Sequence, residues 1–170
     1  MKSSIYNYDE GNISLCPVES YHSEFLFRLF IESRSDLSLI SGLDEEQKLN
    51  IIYQQFIMEQ QQLEVMYPKA DFNVVMLNNE PIGRFYVYYG ERKVRVLEIA
   101  LLEKYRRIGI GSKLLITVIE EAGRLGKNLN LQVAWFNAGA YTFYEKLGFK
   151  VIDDSYVYKT MEYAKGYNRM

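Results

Sequence analysis

Apolar residues at 25, 26, 29 and 30 return at the spacing of one helical face, so "SYHSEFLFRLFIESR" predicts a helix with Ser20 as its cap. Before it, "ISLCPV" (13–18) reads as a short strand ended by Pro17. From Asp44, an acidic first turn followed by apolar positions 49, 52, 53, 56, 57 and 63 predicts a second, longer helix, and Pro68 closes that region. The period then changes. "FNVVML", "RFYVYY" and "VRVLEIALL", joined by "NNEPIG" and "GERK", are β-rich runs between turn-forming stretches and predict an antiparallel meander. Apolar positions 110, 114, 115, 118, 119 and 122 restore the helical period from about Gly109 to Gly126, with Gly126 as the C-cap. "LNLQVAW" predicts another strand, Gly139 to Leu147 a shorter helix, and "FKVIDD" with "SYVYKTMEY" a terminal hairpin. This order implies a mixed α/β fold: a single central, mostly antiparallel sheet of about seven strands flanked by about four helices.

Composition narrows the function classes. The chain has 170 residues, enough for one domain (1–170) with a sizeable core, and three prolines make no linker. A formal charge of -2 disfavours a nucleic-acid partner that works through broad phosphate neutralisation. No run approaches the ~20 apolar residues that span a bilayer. Cys16 stands alone and the first residues lack a signal-type apolar stretch, so the expected setting is the cytoplasm, off the membrane. His22 has no Cys or His partners at ligand spacing, and no metal is expected. Cys16 and Trp135 read as packing residues, with a wall of an acceptor site as the alternative for Trp135. The 15 tyrosines fit β-propensity with amphipathic packing, or an aromatic-lined pocket for a small organic or cationic substrate.

"EKYRRIGIG" leads from a predicted strand into a helix, where successive backbone N–H groups converge on one volume and attract anions. Gly109 and Gly111 remove Cβ atoms there, and Arg106 and Arg107 can add charge-assisted contacts. A diphosphate cradle and a plain turn both satisfy this stretch. It lacks the Gly-Lys-Ser/Thr end of a P-loop and the third glycine of the dinucleotide fingerprint.

The spacing Arg106-x-x-Gly109-x-Gly111 resembles the acyl-CoA pyrophosphate loop of the GNAT superfamily of N-acetyltransferases. "FNAGAYTFYEKLGF" resembles that family's downstream signature, with Asn137, Ala140, Tyr144, Lys146, Gly148 and Phe149 in place. The resemblance is best from about 72 to 163. It implies that Ile99, Ala100 and Leu101 pair with the pantetheine arm of acetyl-CoA, and that Arg106, Arg107, Ile108, Gly109, Ile110, Gly111 and Ser112 hold the pyrophosphate. Asn137 would contact the pantetheine region. Glu103 stands where the family often has proline.

The implied reaction is direct attack of a primary amine on the acetyl thioester through a tetrahedral intermediate. Tyr144 resembles the tyrosine that protonates the departing thiolate; as a residue it also reads as a helix side chain packing on the sheet. Glu98 is the candidate base, acting through water, or else a solvated or salt-bridged side chain. The acceptor would be a small-molecule amine or a lysine-like group. A protein lysine or N-terminus is the alternative, weakened by Gln132 where some N-terminal acetyltransferases carry a glutamate, and a non-catalytic acyl-CoA-binding module is another. A homodimer is the commonest closed assembly for such a domain.

Overall fold

Strands form where the apolar period is two, and helices where it is near 3.6. The computed structural model describes residues 5–8, 11–34, 36 and 40–163. Its strands are β1 (Ile5–Tyr8), β2 (Gly11–Pro17), β3 (Asp71–Leu77), β4 (Glu80–Tyr89), β5 (Lys93–Leu101), β6 (Asn128–Ala134), β7 (Phe149–Asp154) and β8 (Tyr158–Tyr163). They build one sheet in the order β1-β2-β3-β4-β5-β6-β8-β7. All neighbours are antiparallel except β5 and β6. The helices are α1 (Ser23–Ser33), α2 (Glu45–Met66), α3 (Ile110–Arg124) and α4 (Ala138–Leu147). The mixed α/β class is as expected, and the short β1 adds an edge strand ahead of the pattern that "ISLCPV" begins.

Local chemistry explains the boundaries. Asp44 caps α2 by accepting the Gln47 N–H at 2.8 Å, while the Gln47 side chain accepts the Asp44 N–H, a reciprocal capping box. Beyond α3, Gly126 N–H donates to Gly123 O and Lys127 N–H to Ala122 O, the paired bonds of a Schellman end. The turn expected over "NNEPIG" shrinks to Asn78 and Asn79, whose φ angles of 50° and 67° suit a two-residue hairpin. Pro81 and Gly83 are therefore strand residues opposite Met76 and Val75.

The sheet has apolar layers on both faces. Leu26 and Phe30 of α1, Ile52 and Phe56 of α2 and Val74 of β3 pack on one. On the other, α3 and α4 bury Ile110, Leu114, Leu115, Val118 and Tyr144 against Val75, Phe85, Val94, Val96 and Leu131. Alternation along β4 sends Phe85 and Val87 to the α3 face, and Arg84 and Tyr86 toward α2.

Candidate active site

The site begins with a register slip. Tyr86 pairs with Glu98 but Val87 with Val96, so Leu97 is an extra residue in β5. Val94 and Val96 face α3, and strict alternation would put Glu98 there too. The bulge turns it to the α2 face instead. The parallel pairing of β5 with β6 also ends here, at Val96 and Leu131, while β6 continues along β8 to Ala134. Past the bulge β5 stays against β4, where Gly83 permits the approach: a Cβ there would overlap Ala100 O and come 2.6 Å from Leu101 Cδ2. The two strands thus part, and the edge of Ile99, Ala100 and Leu101 that would have met β6 has no strand beside it.

At the end of this opening lies the start of α3. Its N-cap, Gly109, has φ 93° and no side-chain cap. The first intrahelical bond is Lys113 N–H to Gly109 O. The N–H groups of Ile110, Gly111 and Ser112 therefore have no helical acceptor and face outward, as an anion requires. The two glycines differ: nothing lies within 4 Å of a Cβ built on Gly109, whereas one on Gly111 would touch Phe143 Cζ at 3.6 Å. Arg107 also has positive φ, 66°. Arg106 is turned inward, its Nε donating to Leu101 O at 2.8 Å and its Nη2 to Glu32 O at 3.4 Å, so its side chain ties the loop to β5 and α1. Glu103 N–H donates to the Glu32 carboxylate at 3.2 Å. A splayed strand edge followed by an uncapped helix start offers backbone groups to an extended chain and converging N–H groups to an anion.

A cleft of about 510 Å³ crosses the opening, lined by Glu98 and Ala100 of β5, Gln132 of β6, Asn137 just before α4, Tyr144 of α4, and side chains of α1 and α2. Glu98 shares Arg84 with Glu59 of α2: Arg84 Nη2 lies 3.3 Å from Glu98 Oε2 and 2.9 Å from Glu59 Oε1. The Arg84 side chain is 3% exposed, and its Nε and Nη1 meet no acceptor in hydrogen-bonding geometry among the described residues. Burial opposes the Arg84 charge, but Glu98 and Glu59 hold its pKa above the usual value. Burial pushes Glu98 up to about 7; Arg84 pulls it down and the Glu59 carboxylate beside it adds to the rise. Tyr144 is buried against Phe149 at 5.9 Å between ring centres. Burial, with a smaller push from Glu98, raises its phenol, which stays protonated and able to donate.

Other side chains take structural roles. Asn137 Oδ1 caps α4 by accepting the Ala140 N–H at 3.2 Å. Gln132 donates to Thr160 Oγ1 at 3.5 Å. His22 is buried, its Nδ1 accepting the Glu19 N–H at 2.9 Å. Trp135, expected to pack, is 62% exposed. Glu59, Arg84 and Arg95 were not candidates from sequence. Glu59 lies on the helical face of Ile52 and Phe56, an acid at a core-facing spacing, and Arg84 is the one charge in an apolar strand run; both were signals of a buried ion pair.

A sheet parted at its centre beside an uncapped helix defines a mixed α/β fold with an open strand edge and an anion-attracting helix start. Residues 68–151 match the acetyltransferase (GNAT) domain family. The chain belongs to the GNAT superfamily. It is 29% identical over 123 residues to the uncharacterized N-acetyltransferase CgeE of Bacillus subtilis, covering 66% of this chain and 48% of that protein. It is 33% identical over 66 residues to N-alpha-acetyltransferase 50 of Danio rerio, covering 37% of this chain and 39% of that one. These matches span less than half the length of either relative. Among solved structures, the PaiA N-acetyltransferase of Thermoplasma acidophilum in complex with coenzyme A superposes with a TM-score of 0.67 at 22% identity, covering 88% of this chain and 97% of that one.

Proposed function

We propose that the chain is a single acetyl-CoA-dependent N-acetyltransferase domain that acetylates a primary amine of a small molecule or lysine-like group. The observation that carries this reading is the position of Glu98 and Tyr144 on the walls of one cleft, at the point where β5 leaves β6. When bound, acetyl-CoA supplies the acetyl group already activated as a thioester. The edge of Ile99 to Leu101 aligns it, and Ile110, Gly111 and Ser112 hold the pyrophosphate through backbone N–H groups, with Arg107 and Ile108 shaping the loop mouth. Glu98 takes the proton that an alkylammonium must lose before it can attack, directly or through a water. Tyr144 gives its phenolic proton to the departing sulfur. Arg84 holds Glu98 in place without entering the cleft's open space.

Acetylation of protein N-termini is the second reading, supported by the partial likeness to N-alpha-acetyltransferase 50; Gln132 in place of an acid weighs against it. The proposed setting is the cytoplasm, and no helix among the described residues is long and apolar enough to cross a membrane. The test is thiol release from acetyl-CoA with a panel of alkylamines, amino acids and short peptides. Turnover that Glu98→Gln and Tyr144→Phe each reduce is expected. Binding of acetyl-CoA without turnover of any acceptor would leave a non-catalytic module.

A further inference from the structure

Three arginines line the cleft, and their partners differ. Arg34 is held by Asp36 through two bonds, Nε to Oδ1 at 2.8 Å and Nη2 to Oδ2 at 2.7 Å. Arg84 lies between Glu59 and Glu98. Arg95 has neutral partners: its Nε donates to Asn130 Oδ1 at 2.8 Å and its Nη1 to Tyr67 Oη at 3.2 Å. Among the described residues no carboxylate comes within ion-pair reach of it.

The guanidinium is nevertheless built into place. Asn130 is its register neighbour across the parallel strands and is only 5% exposed, a buried amide whose oxygen is spent on Arg95. Tyr67, at the end of α2, is itself fixed by its ring against Tyr88, 5.0 Å between centres. The arrangement orients a cation without neutralising it, and Nη2 is left to donate into the cleft. At the other end of the same strand face, Glu98 and Glu59 over one Arg84 leave the opposite net charge. The cleft is therefore dipolar along β5.

We infer that the acceptor carries a carboxylate on the same chain as its primary amine, and that Arg95 receives this carboxylate while the amine lies at Glu98. The inference rests on reading the cleft as an acetyl-acceptor site. Arg95 lies opposite Tyr88 and Glu98 opposite Tyr86, two residues along β4, so across the bulge their backbones are about 7 Å apart at ~3.3 Å per residue, the extended span of a spacer of about five methylenes between amine and carboxylate. An ω-amino acid, or lysine with its free carboxylate, has this shape. A simple diamine would bring a second cation against Arg95.

The experiment compares 6-aminohexanoate, pentylamine and cadaverine as acceptors by thiol release, in the native protein and in Arg95→Gln and Arg95→Lys. The native ratio of kcat/KM for 6-aminohexanoate over pentylamine is expected to be about tenfold, the scale of one partly solvated charge-assisted contact. Arg95→Gln should bring that ratio near one, and Arg95→Lys should restore part of it. A native ratio near one, a preference for cadaverine, or a ratio that Arg95→Gln leaves intact overturns the inference. Calorimetric titration of 6-aminohexanoate into the coenzyme A-bound protein separates it from the enzymatic reading. If no amine is turned over, that reading fails, and binding that Arg95→Gln abolishes still upholds the inference; no binding, or equal binding by both proteins, ends it.

Discussion

Gly109 and Gly111 look equivalent in the sequence and are not equivalent in the fold, and substituting each with alanine tests the phosphate cradle. Gly109 has φ 93°, where an L side chain is strained, and the space around its missing Cβ is open. Gly109→Ala should cost the free protein about 1–2 kcal/mol. For a chain of this size that is a fall in Tm of about 2–8 °C. Gly111 lies inside the first turn of α3, and its new methyl would make an ordinary contact with Phe143. Gly111→Ala should be neutral or stabilise by about 0.5 kcal/mol through helix propensity. Coenzyme A at 100 times its Kd stabilises a protein that binds it by about 2.7 kcal/mol. The methyl of Gly109→Ala stands in the volume the α3 N–H groups face, or else shifts those groups. A tenfold loss of affinity would halve the coenzyme A stabilisation to about 1.4 kcal/mol. Thermal melts with and without coenzyme A, for the native protein and both variants, measure the two effects separately. Equal ligand shifts in the native protein and Gly109→Ala would refute the cradle, and a larger loss from Gly111→Ala would refute this division of roles.

Four further outcomes follow from the cleft. Turnover should fall on the acid side with a midpoint near 7, because Glu98 must be ionised to act and its pKa is pushed up to about 7; Glu98→Gln should lower kcat and flatten that limb in a pH-rate profile. The same raised pKa means the folded state binds the proton more tightly than the unfolded chain, so stability should decline between about pH 4.5 and 7, and less so in Glu98→Gln, as read by urea melts. Tyr144→Phe keeps the ring packed on Phe149, so stability should change by less than about 1.5 kcal/mol while kcat falls and coenzyme A affinity holds; unchanged kcat would remove its proton-donor role. Arg84→Met leaves Glu59 and Glu98 facing each other without their shared cation, and denaturant unfolding should show a loss of about 3–5 kcal/mol.

Much of the fold was legible because its periodicities are local. Helices α2 and α3 declare themselves by apolar spacing, and their ends by Asp44 and Gly126. "NNEPIG" misled because proline and glycine usually mark turns, whereas Gly83 is there to let β4 and β5 close up and the turn itself needs only two asparagines. The short β1 draws its pairing from β2, which no pattern within "IYNY" announces. The site was legible where it is sequential, in the loop before α3 and in α4, and illegible where it is spatial: nothing near residue 98 names Glu59, thirty-nine positions earlier.

Glu98 shows how the spatial part could have been reached. In "VRVLEIALL" the residues facing α3 are Val94, Val96, Ile99 and Leu101, with one step of three among steps of two. That irregular step is the bulge written in the sequence, and a strand cannot carry it without sending Glu98 to the other face. The same extra residue coincides with the end of the β5–β6 ladder, so one local feature accompanies both the free Ile99–Leu101 edge and a carboxylate on the α2 face. Deleting Leu97 tests the bulge itself: without the extra residue, strict alternation carries Glu98 to the α2 face directly after Val96, so the carboxylate keeps its side while the irregularity at which β5 parts from β6 is removed. The expected result is loss of coenzyme A binding and of turnover, because the Ile99–Leu101 edge is drawn back toward β6, whereas Leu97→Ala, which keeps the extra residue, should retain most of both; a deletion variant that binds coenzyme A as the native protein does would refute the link between bulge and edge.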